Sequence, residues 1–168
     1  DTESFKKGFA SDEEREAYEA ELCATVEAEG AALLKNENNA LPLASGAKVS
    51  LFGHGSVDLM YGGTGSGSVD TSKAPNLKQA LEAQGITINQ TLWDLYSSDS
   101  MMSKYSRMTP ASISDTLEAN TQYAVNEAPW SALSSAESSF AEYGDAAIVV
   151  LSRSGGEGAD LPSGTNGT

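Results

Sequence analysis

The first long pattern of apolar and polar positions along the chain has the period of a helix. Ser11 is followed three residues later by Glu14, a capping-box spacing, and Leu22 and Val26 continue the apolar positions at helical intervals. The pattern predicts a helix over about residues 12–34. Residues 35–39 are polar and break it, and Leu41 is expected to be extended because a residue that precedes proline avoids the helical region.

After residue 45 the pattern alternates between strands and helices. The predicted elements are a strand at 48–52, a helix at 76–84, a strand at 86–88, a helix at 130–143 and a strand at 145–151. The last strand is apolar enough to be buried on both faces. Residues from about 90 to 140 otherwise have weak periodicity and are interpreted as a variable excursion. This order predicts an α/β fold, a mostly parallel sheet flanked by helices in flavodoxin-like layers, as an incomplete α/β sandwich domain.

Composition excludes several classes of function. Hydrophobic residues make up 39% and charged residues 20% of the 168 residues, as in globular proteins. The formal net charge of −14 repels phosphate backbones and anionic lipid, so nucleic acid and membranes are not expected partners. Cys23 is the only cysteine and is expected to be a small buried side chain of the first helix. With His54 as the only histidine, no metal site is implied, and His54 itself is expected to form hydrogen bonds within a loop.

Two glycine-rich loops follow predicted strands, where ligands of such sheets gather. The first, residues 61–68, has four glycines, a tyrosine ring at Tyr61 and hydroxyls at Thr64, Ser66 and Ser68 that can bond sugar hydroxyls. A surface turn is the alternative. A nucleotide site is disfavoured, because neither the dinucleotide fingerprint nor the phosphate loop's Gly-Lys-Ser/Thr ending is present.

The second loop presents Glu157 between two glycines directly after the last strand. Such a carboxylate suits the acid/base of a retaining glycosidase, which protonates the leaving oxygen and later deprotonates water while a second carboxylate attacks the anomeric carbon. A solvated loop glutamate is the alternative. Nearby, Asp160 could bond a sugar hydroxyl or cap a turn, and Arg153 could pair with a carboxylate and hold the loop.

Four ordered segments resemble landmarks of the α/β sandwich domain of glycoside hydrolase family 3. They are Glu-Gly-Ala-Ala-Leu-Leu-Lys-Asn-Glu at 29–37 with Leu-Pro-Leu at 41–43, Lys-Val-Ser-Leu-Phe-Gly at 48–53, Tyr-Gly-Gly-Thr-Gly-Ser-Gly at 61–67, and Ile-Val-Val-Leu-Ser-Arg at 148–153 with Gly-Glu-Gly-Ala-Asp at 156–160. The resemblance spans roughly residues 27–162, apart from about 90–140. Within the first landmark, Lys35 and Asn36 are expected to secure the connection after the helix.

The resemblance implies a β-glucosidase-like enzyme without a cofactor, whose nucleophilic aspartate lies on a (β/α)8 barrel domain. This sequence contains no matching Ser-Asp-Trp-type motif, so the barrel is expected on another part of a longer protein. Glu157 matches the family's acid/base position. Where the family often has a basic residue after the aspartate, this chain has Leu161, which weakens the transfer of a role to Asp160.

The sequence is therefore interpreted as residues 1–45, an N-terminal helix and extended connection, followed by residues 46–168, a partial sandwich domain. The predicted function is part of a retaining β-glycosidase that acts on a carbohydrate substrate. Its predicted site comprises Glu157 as acid/base and Tyr61, Thr64, Ser66, Asp160 and Arg153 as sugar-binding residues. The alternatives are a noncatalytic carbohydrate-binding or interaction module of the same fold and a nucleotide-binding domain.

Overall fold

The computed structural model describes residues 8–62, 70–105 and 126–152. The chain divides into two compact units, residues 1–42 and residues 43–168. In the described ranges no helix is both long enough and apolar enough to cross a membrane.

The first unit contains one long helix, α1 (Asp12–Gly30). Its start is fixed as the sequence predicts, because the Ser11 hydroxyl accepts a hydrogen bond from the Glu14 backbone N–H at 3.2 Å. Three acidic residues in the first turn complement the positive end of the helix dipole. The predicted end at residue 34 was wrong. Gly30 is a poor helix former and Ala31 is already extended, with φ −70° and ψ 128°, so the helix ends there.

The apolar residues of α1 are not buried in this unit. Tyr18, Leu22 and Val26 are 38%, 47% and 61% exposed. Cys23, predicted to be buried, is exposed as well. The helix is held instead by its cap and by charged pairs such as that of Arg15 with Glu19, at 2.8 Å.

Asn36 organises the connection that follows α1. Its side-chain amide donates to the Leu41 carbonyl at 2.9 Å and its side-chain oxygen accepts from the Leu41 N–H at 3.0 Å, which closes the loop of residues 36–41. Asn38 and Asn39 within that loop have positive φ, a conformation that asparagine tolerates better than most residues. Asn36 thus secures the connection as expected, while Lys35 pairs with Glu37 at 3.2 Å.

Among the described residues, the second unit is built on a parallel sheet of three strands, β1 (Lys48–Phe52), β2 (Thr87–Ile88) and β3 (Ala146–Val149), in the order β2-β1-β3. The register aligns Val49 with Ile88 on one side and with Ala146 on the other. Helices α2 (Leu77–Ala83), α3 (Gln90–Ser97) and α4 (Asp99–Lys104) and two 3₁₀ helices, His54–Ser56 and Trp130–Ser139, surround it. The predicted α/β fold is confirmed.

Alternate residues of β1 face two separate apolar clusters, because side chains of a strand point to opposite faces in turn. Val49 and Leu51 belong to a cluster that α2 covers with Leu77 and Leu81. Phe52 packs against the other cluster, whose buried members come from α3, α4 and the segments that follow them: Leu92, Tyr96, Met101, Tyr105, Leu133 and Ala136. The sheet is therefore covered by helices on both faces.

This second cluster corrects the interpretation of residues from about 90 to 140 as a variable excursion. Residues 90–104 form α3 and α4 and supply much of the core, and residues 130–139, predicted to be α-helical, form a 3₁₀ helix. Many polar residues in α3 and α4 hid the few apolar ones that are buried. Residues 106–125 lie outside the described part of the chain.

The prediction that the last strand is buried on both faces was also wrong. β3 forms one edge of the described sheet, and its residues alternate between half-buried and exposed. Val149 is 62% exposed, and Leu151 just beyond the strand is 83% exposed. Apolar composition alone does not distinguish a central strand from an edge strand whose outer face lacks a covering element.

A buried polar network joins the end of β2 to β1 and to the Trp130–Ser139 helix. The Asn89 side-chain oxygen caps α3 by accepting from the Leu92 N–H, and its amide donates to the hydroxyls of Ser50 and Ser139 at 3.0 and 2.8 Å. Asn89 is 1% exposed. A buried amide with these bonds fixes the position of β2 relative to the Trp130–Ser139 helix.

Candidate functional site

The strand order marks a candidate ligand-binding position at the carboxyl edge of the sheet. β1 is central, the chain passes from it to β2 on one side, and β3 is added on the other side, so the direction of winding reverses between β1 and β3. In open parallel sheets, ligands bind outside the carboxyl ends of the strands at this switch point. Residues 53–56 leave β1 and residues 150–152 leave β3 at this edge.

Two glycines allow the backbones that follow β1 and β3 to come unusually close at this edge. A Cβ on Gly53 would lie 2.7 Å from the Val150 carbonyl oxygen, and Gly53 has φ +89°. A Cβ on Gly55 would lie 2.7 Å from the Ser152 Cβ. Only glycine fits either position without a shift of the neighbouring chain, because real Cβ atoms do not approach other atoms so closely. Residues 53–56, the β1 loop, thus pack directly against residues 150–152, which follow β3.

Three groups fix the β1 loop, one from the residues just after it and two from distant parts of the chain. The His54 ring is buried, and its Nε2 lies 3.0 Å from Asp58 Oδ2. The His54 backbone N–H donates to Glu127 Oε2 at 2.8 Å, and the Gly53 N–H donates to the Tyr96 hydroxyl at 3.1 Å. Both backbone donors of the turn therefore have acceptors, as buried peptide groups require.

Burial raises the pKa of the Tyr96 phenol, and the negative charge of Glu127 adds to this effect, against the opposing hydrogen bond from Gly53. The phenol is thus held in its neutral form next to the β1 loop. A neutral phenol can accept the Gly53 N–H without bringing another negative charge close to Glu127.

Ser152 is the last described residue before the segment that contains Glu157. It is 9% exposed, and its hydroxyl has no hydrogen-bond partner among the residues that the structure describes. Gly55 packs against its Cβ. A buried hydroxyl without a partner is uncommon, and this one lies where the chain leaves β3.

Of the residues predicted from sequence to form the site, the structure describes Tyr61. Its hydroxyl donates to the Pro75 carbonyl at 2.9 Å, and the residue is 40% exposed, so part of the ring remains accessible. The other predicted site residues lie outside the described residues: Thr64, Ser66, Arg153, Glu157 and Asp160. Their sugar-binding and catalytic roles remain predictions.

Sequence reasoning missed the partners of the β1 loop. Asp58 follows His54 at a spacing of four residues, which could have suggested a pair across a helical turn. Tyr96 and Glu127 carry no such signal, because they are separated from the loop by 43 and 73 residues. Within the described ranges, no group of three or more histidine, cysteine, aspartate or glutamate residues could hold a metal ion.

Comparison with known proteins gives two matches. Residues 31–166 match the family model described as the glycosyl hydrolase family 3 C-terminal domain. The chain is 34% identical over 146 residues to a protein named beta-glucosidase A from Butyrivibrio fibrisolvens, a match that covers 83% of this chain and 15% of that relative. No solved structure matches the chain.

Proposed function

Since the chain belongs to glycoside hydrolase family 3 through that family's C-terminal domain, we propose that it is one part of a retaining β-glycosidase. The enzyme would release terminal β-linked sugars from oligosaccharides or glycosides. This chain would supply the acid/base loop and part of the sugar-binding site. The observation that carries the proposal is the close packing of the β1 loop on residues 150–152 at the switch point of the sheet, where parallel sheets bind ligands, in a chain that matches this family over residues 31–166.

The acid/base role is proposed for Glu157. It follows Ser152, the residue at the exit of β3, by five positions and lies between two glycines. In the first step its carboxylic acid would give a proton to the glycosidic oxygen as that bond breaks. In the second step its carboxylate would take a proton from the water that attacks the glycosyl-enzyme. Both steps require the same side chain to reach the same side of the anomeric carbon.

The sugar would be held by side chains on the two glycine loops. We assign Tyr61 a ring contact with the sugar and assign Thr64 and Ser66 hydrogen bonds to sugar hydroxyls. Arg153 and Asp160 would flank the acid/base and hold its loop or bond a further hydroxyl. Sugars present many hydroxyls and a weakly polar ring face, which suits this combination of hydroxyl, charged and aromatic groups.

The nucleophile would come from a (β/α)8 barrel domain of the same longer protein. A retaining mechanism needs a second carboxylate about 5 to 5.5 Å from the acid/base. The chain spans 15% of the length of the relative from Butyrivibrio fibrisolvens, which leaves room for such a domain in a protein of that size. The isolated 168-residue chain is therefore expected to hydrolyse no aryl glycoside.

The test is Glu157→Gln in the full-length protein. Loss of a general acid/base should lower turnover by about 10²- to 10⁴-fold on glycosides with poor leaving groups. Formation of the glycosyl-enzyme from a dinitrophenyl glycoside should be largely spared, because that aglycone leaves without protonation. Azide should then accelerate breakdown of the intermediate, because it attacks without a general base.

Glu137→Gln is the matched control, since Glu137 is an exposed glutamate on the Trp130–Ser139 helix. It should leave all rates unchanged. NMR of the first sugar released should show retention of the β configuration. If Glu157→Gln slows every substrate equally and azide has no effect, Glu157 is not the acid/base. If the full-length protein binds sugars but hydrolyses none, the chain is part of a noncatalytic module.

A further inference from the structure

His54 is an unusual residue for the position that it occupies. Its side chain is 2% exposed, and burying an imidazole is costly unless its nitrogens are hydrogen-bonded. The structure provides that bond through Asp58, whose carboxylate is 3.0 Å from Nε2 and whose own side chain is 29% exposed. The buried ring is thus tied to a carboxylate that reaches the surface.

The ring contact is one of four hydrogen bonds that fix residue 54, one of which runs from the Val57 N–H to the His54 carbonyl at 3.2 Å. The His54 carbonyl accepts the Asp58 N–H at 3.1 Å, so the two residues are joined through both backbone and side chain. The His54 N–H is held by Glu127 at 2.8 Å. Hydrogen bonds from residues 58 and 127 therefore meet at a single turn. Loss of the ring contact would remove the bond that satisfies the buried side chain.

The turn held in this way packs against residues 150–152, where the chain leaves β3. His54 lies between Gly53 and Gly55. These glycines contact Val150 and Ser152 so closely that neither glycine position has room for a Cβ. A rotation or shift of residue 54 must therefore move both contacts. Close packing transmits such shifts, because the interior has little free space to absorb them.

We propose that His54 is a positioning residue of the active site, which acts through the β1 loop to fix Ser152 and thereby the start of the acid/base segment. The proposal rests on the function proposed above. His54 touches neither substrate nor reacting atoms in this role. It determines where the segment after Ser152 leaves the sheet, and so the place from which an acid on that segment approaches the glycosidic oxygen.

The test compares His54→Leu with His54→Gln in the full-length protein. Leucine fills the space without a hydrogen bond, whereas the glutamine amide can place an N–H near the position of Nε2 and so preserve the bond to Asp58. His54→Leu should lower kcat on an alkyl glycoside by about 10- to 100-fold, the cost of misplacing a catalytic group by about 1 Å. KM should change little. His54→Gln should stay close to wild type.

A structural role alone would not produce dependence on the leaving group. With a dinitrophenyl glycoside, which needs no acid for its first step, His54→Leu should form the glycosyl-enzyme at close to the wild-type rate. Ile88→Val is the stability control, because Ile88 is buried in the cluster on the α2 side of the sheet and away from the β1 loop. It should lower the melting temperature without changing the ratio of rates on the two substrates.

The same variants made in the Glu157→Gln background separate the two proposals. If His54 positions Glu157, His54→Leu should add no further dependence on the leaving group once that acid is gone. If Glu157→Gln lacks the dependence but His54→Leu shows it, the assignment of Glu157 fails while the positioning role stands. If His54→Leu slows both substrates equally, so that the ratio of rates is unchanged as expected for Ile88→Val, the positioning role is overturned.

A second variant covers the case in which His54→Leu does not fold. Asp58→Ala removes the same pair from its more exposed side. The same loss on the alkyl glycoside, with the dinitrophenyl glycoside spared, would support the proposal. Wild-type rates on both substrates would overturn it.

Discussion

Helices α1 and α3 begin in the same way and are held by different forces. Ser11 caps α1 and Asn89 caps α3, each by accepting a hydrogen bond from a backbone N–H of the first turn. None of the 19 residues of α1 is buried, whereas the eight residues of α3 include the buried Leu92 and Tyr96. Capping signals locate where a helix begins, but they do not indicate what the helix packs against.

The difference follows from the position of each helix along the chain. α3 starts at Asn89, directly after β2, so its apolar residues lie over the sheet and join the cluster next to Phe52. α1 belongs to a separate compact unit and depends on its cap and its charged pairs. Helices of this second kind are weakly stabilised, because propensity and surface pairs each contribute only tenths of a kcal/mol.

Leu92→Ala should give the largest effect that separates the two helices. Leu92 is fully buried, so its truncation leaves a cavity and should destabilise the second unit by about 3 to 5 kcal/mol. Urea denaturation followed by tryptophan fluorescence measures this, with the midpoint shifted and the slope unchanged. A loss below about 1 kcal/mol would show that α3 is no better anchored than α1.

Asn89→Ala should give the next largest effect, because it removes a cap and a buried network together. The cap contributes about 1 kcal/mol, and the buried hydroxyls of Ser50 and Ser139 lose their donor, for a total of about 2 to 3 kcal/mol. Ser11→Ala is the matched control on α1, where the cap is exposed and only the capping contribution is at stake. Equal losses for the two variants would remove the contrast between the helices.

The pH dependence of stability tests the burial of α3 at Tyr96. The pKa of this phenol is raised in the folded state, so the unfolded chain loses its proton first as pH rises. Its contribution is therefore complete below the ordinary tyrosine pKa of about 10 and is lost as pH rises through the folded-state pKa. Tyr96→Phe should flatten the fall in the free energy of unfolding between about pH 9 and 11. An unchanged slope would contradict the burial of this phenol.

Leu22→Ala on α1 should give the smallest effect. Leu22 is 47% exposed, so its truncation should change the stability of this chain by no more than about 0.5 kcal/mol. The same substitution in the full-length protein sharpens the comparison. A loss above about 2 kcal/mol there would show that another part of that protein buries this face of α1.

The sequence predicted the elements better than their environment. Strand period, glycine positions and capping residues are local signals, so β1, α2 and the start of α1 were located correctly. The exposure of Cys23 and Val149 was not predictable, since it depends on which neighbours cover a face. At the site, the sequence shows that Gly53 and Gly55 follow a strand, but it does not show their contacts with Val150 and Ser152, because these depend on strand order.

The resemblance to glycoside hydrolase family 3 allowed a more specific prediction of function than the local patterns did. The family was identified from four ordered segments, and the match over residues 31–166 confirms it. Glu127, which accepts the His54 N–H, could not be predicted as its partner because the two residues are 73 positions apart in the sequence. Contacts of that kind leave no periodic signal in one sequence.

The central claim is that the carboxyl edge of the sheet, where residues 53–56 and 150–152 meet, forms one side of a sugar-binding active site. Hydrogen–deuterium exchange on the full-length protein, with and without a saturating iminosugar inhibitor, tests it most directly. Amides of residues 53–57 and 150–152 should exchange more slowly with inhibitor bound, while those of β2 and α2 should be unchanged. Full inhibition of activity with no protection at residues 53–57 and 150–152 would contradict the claim.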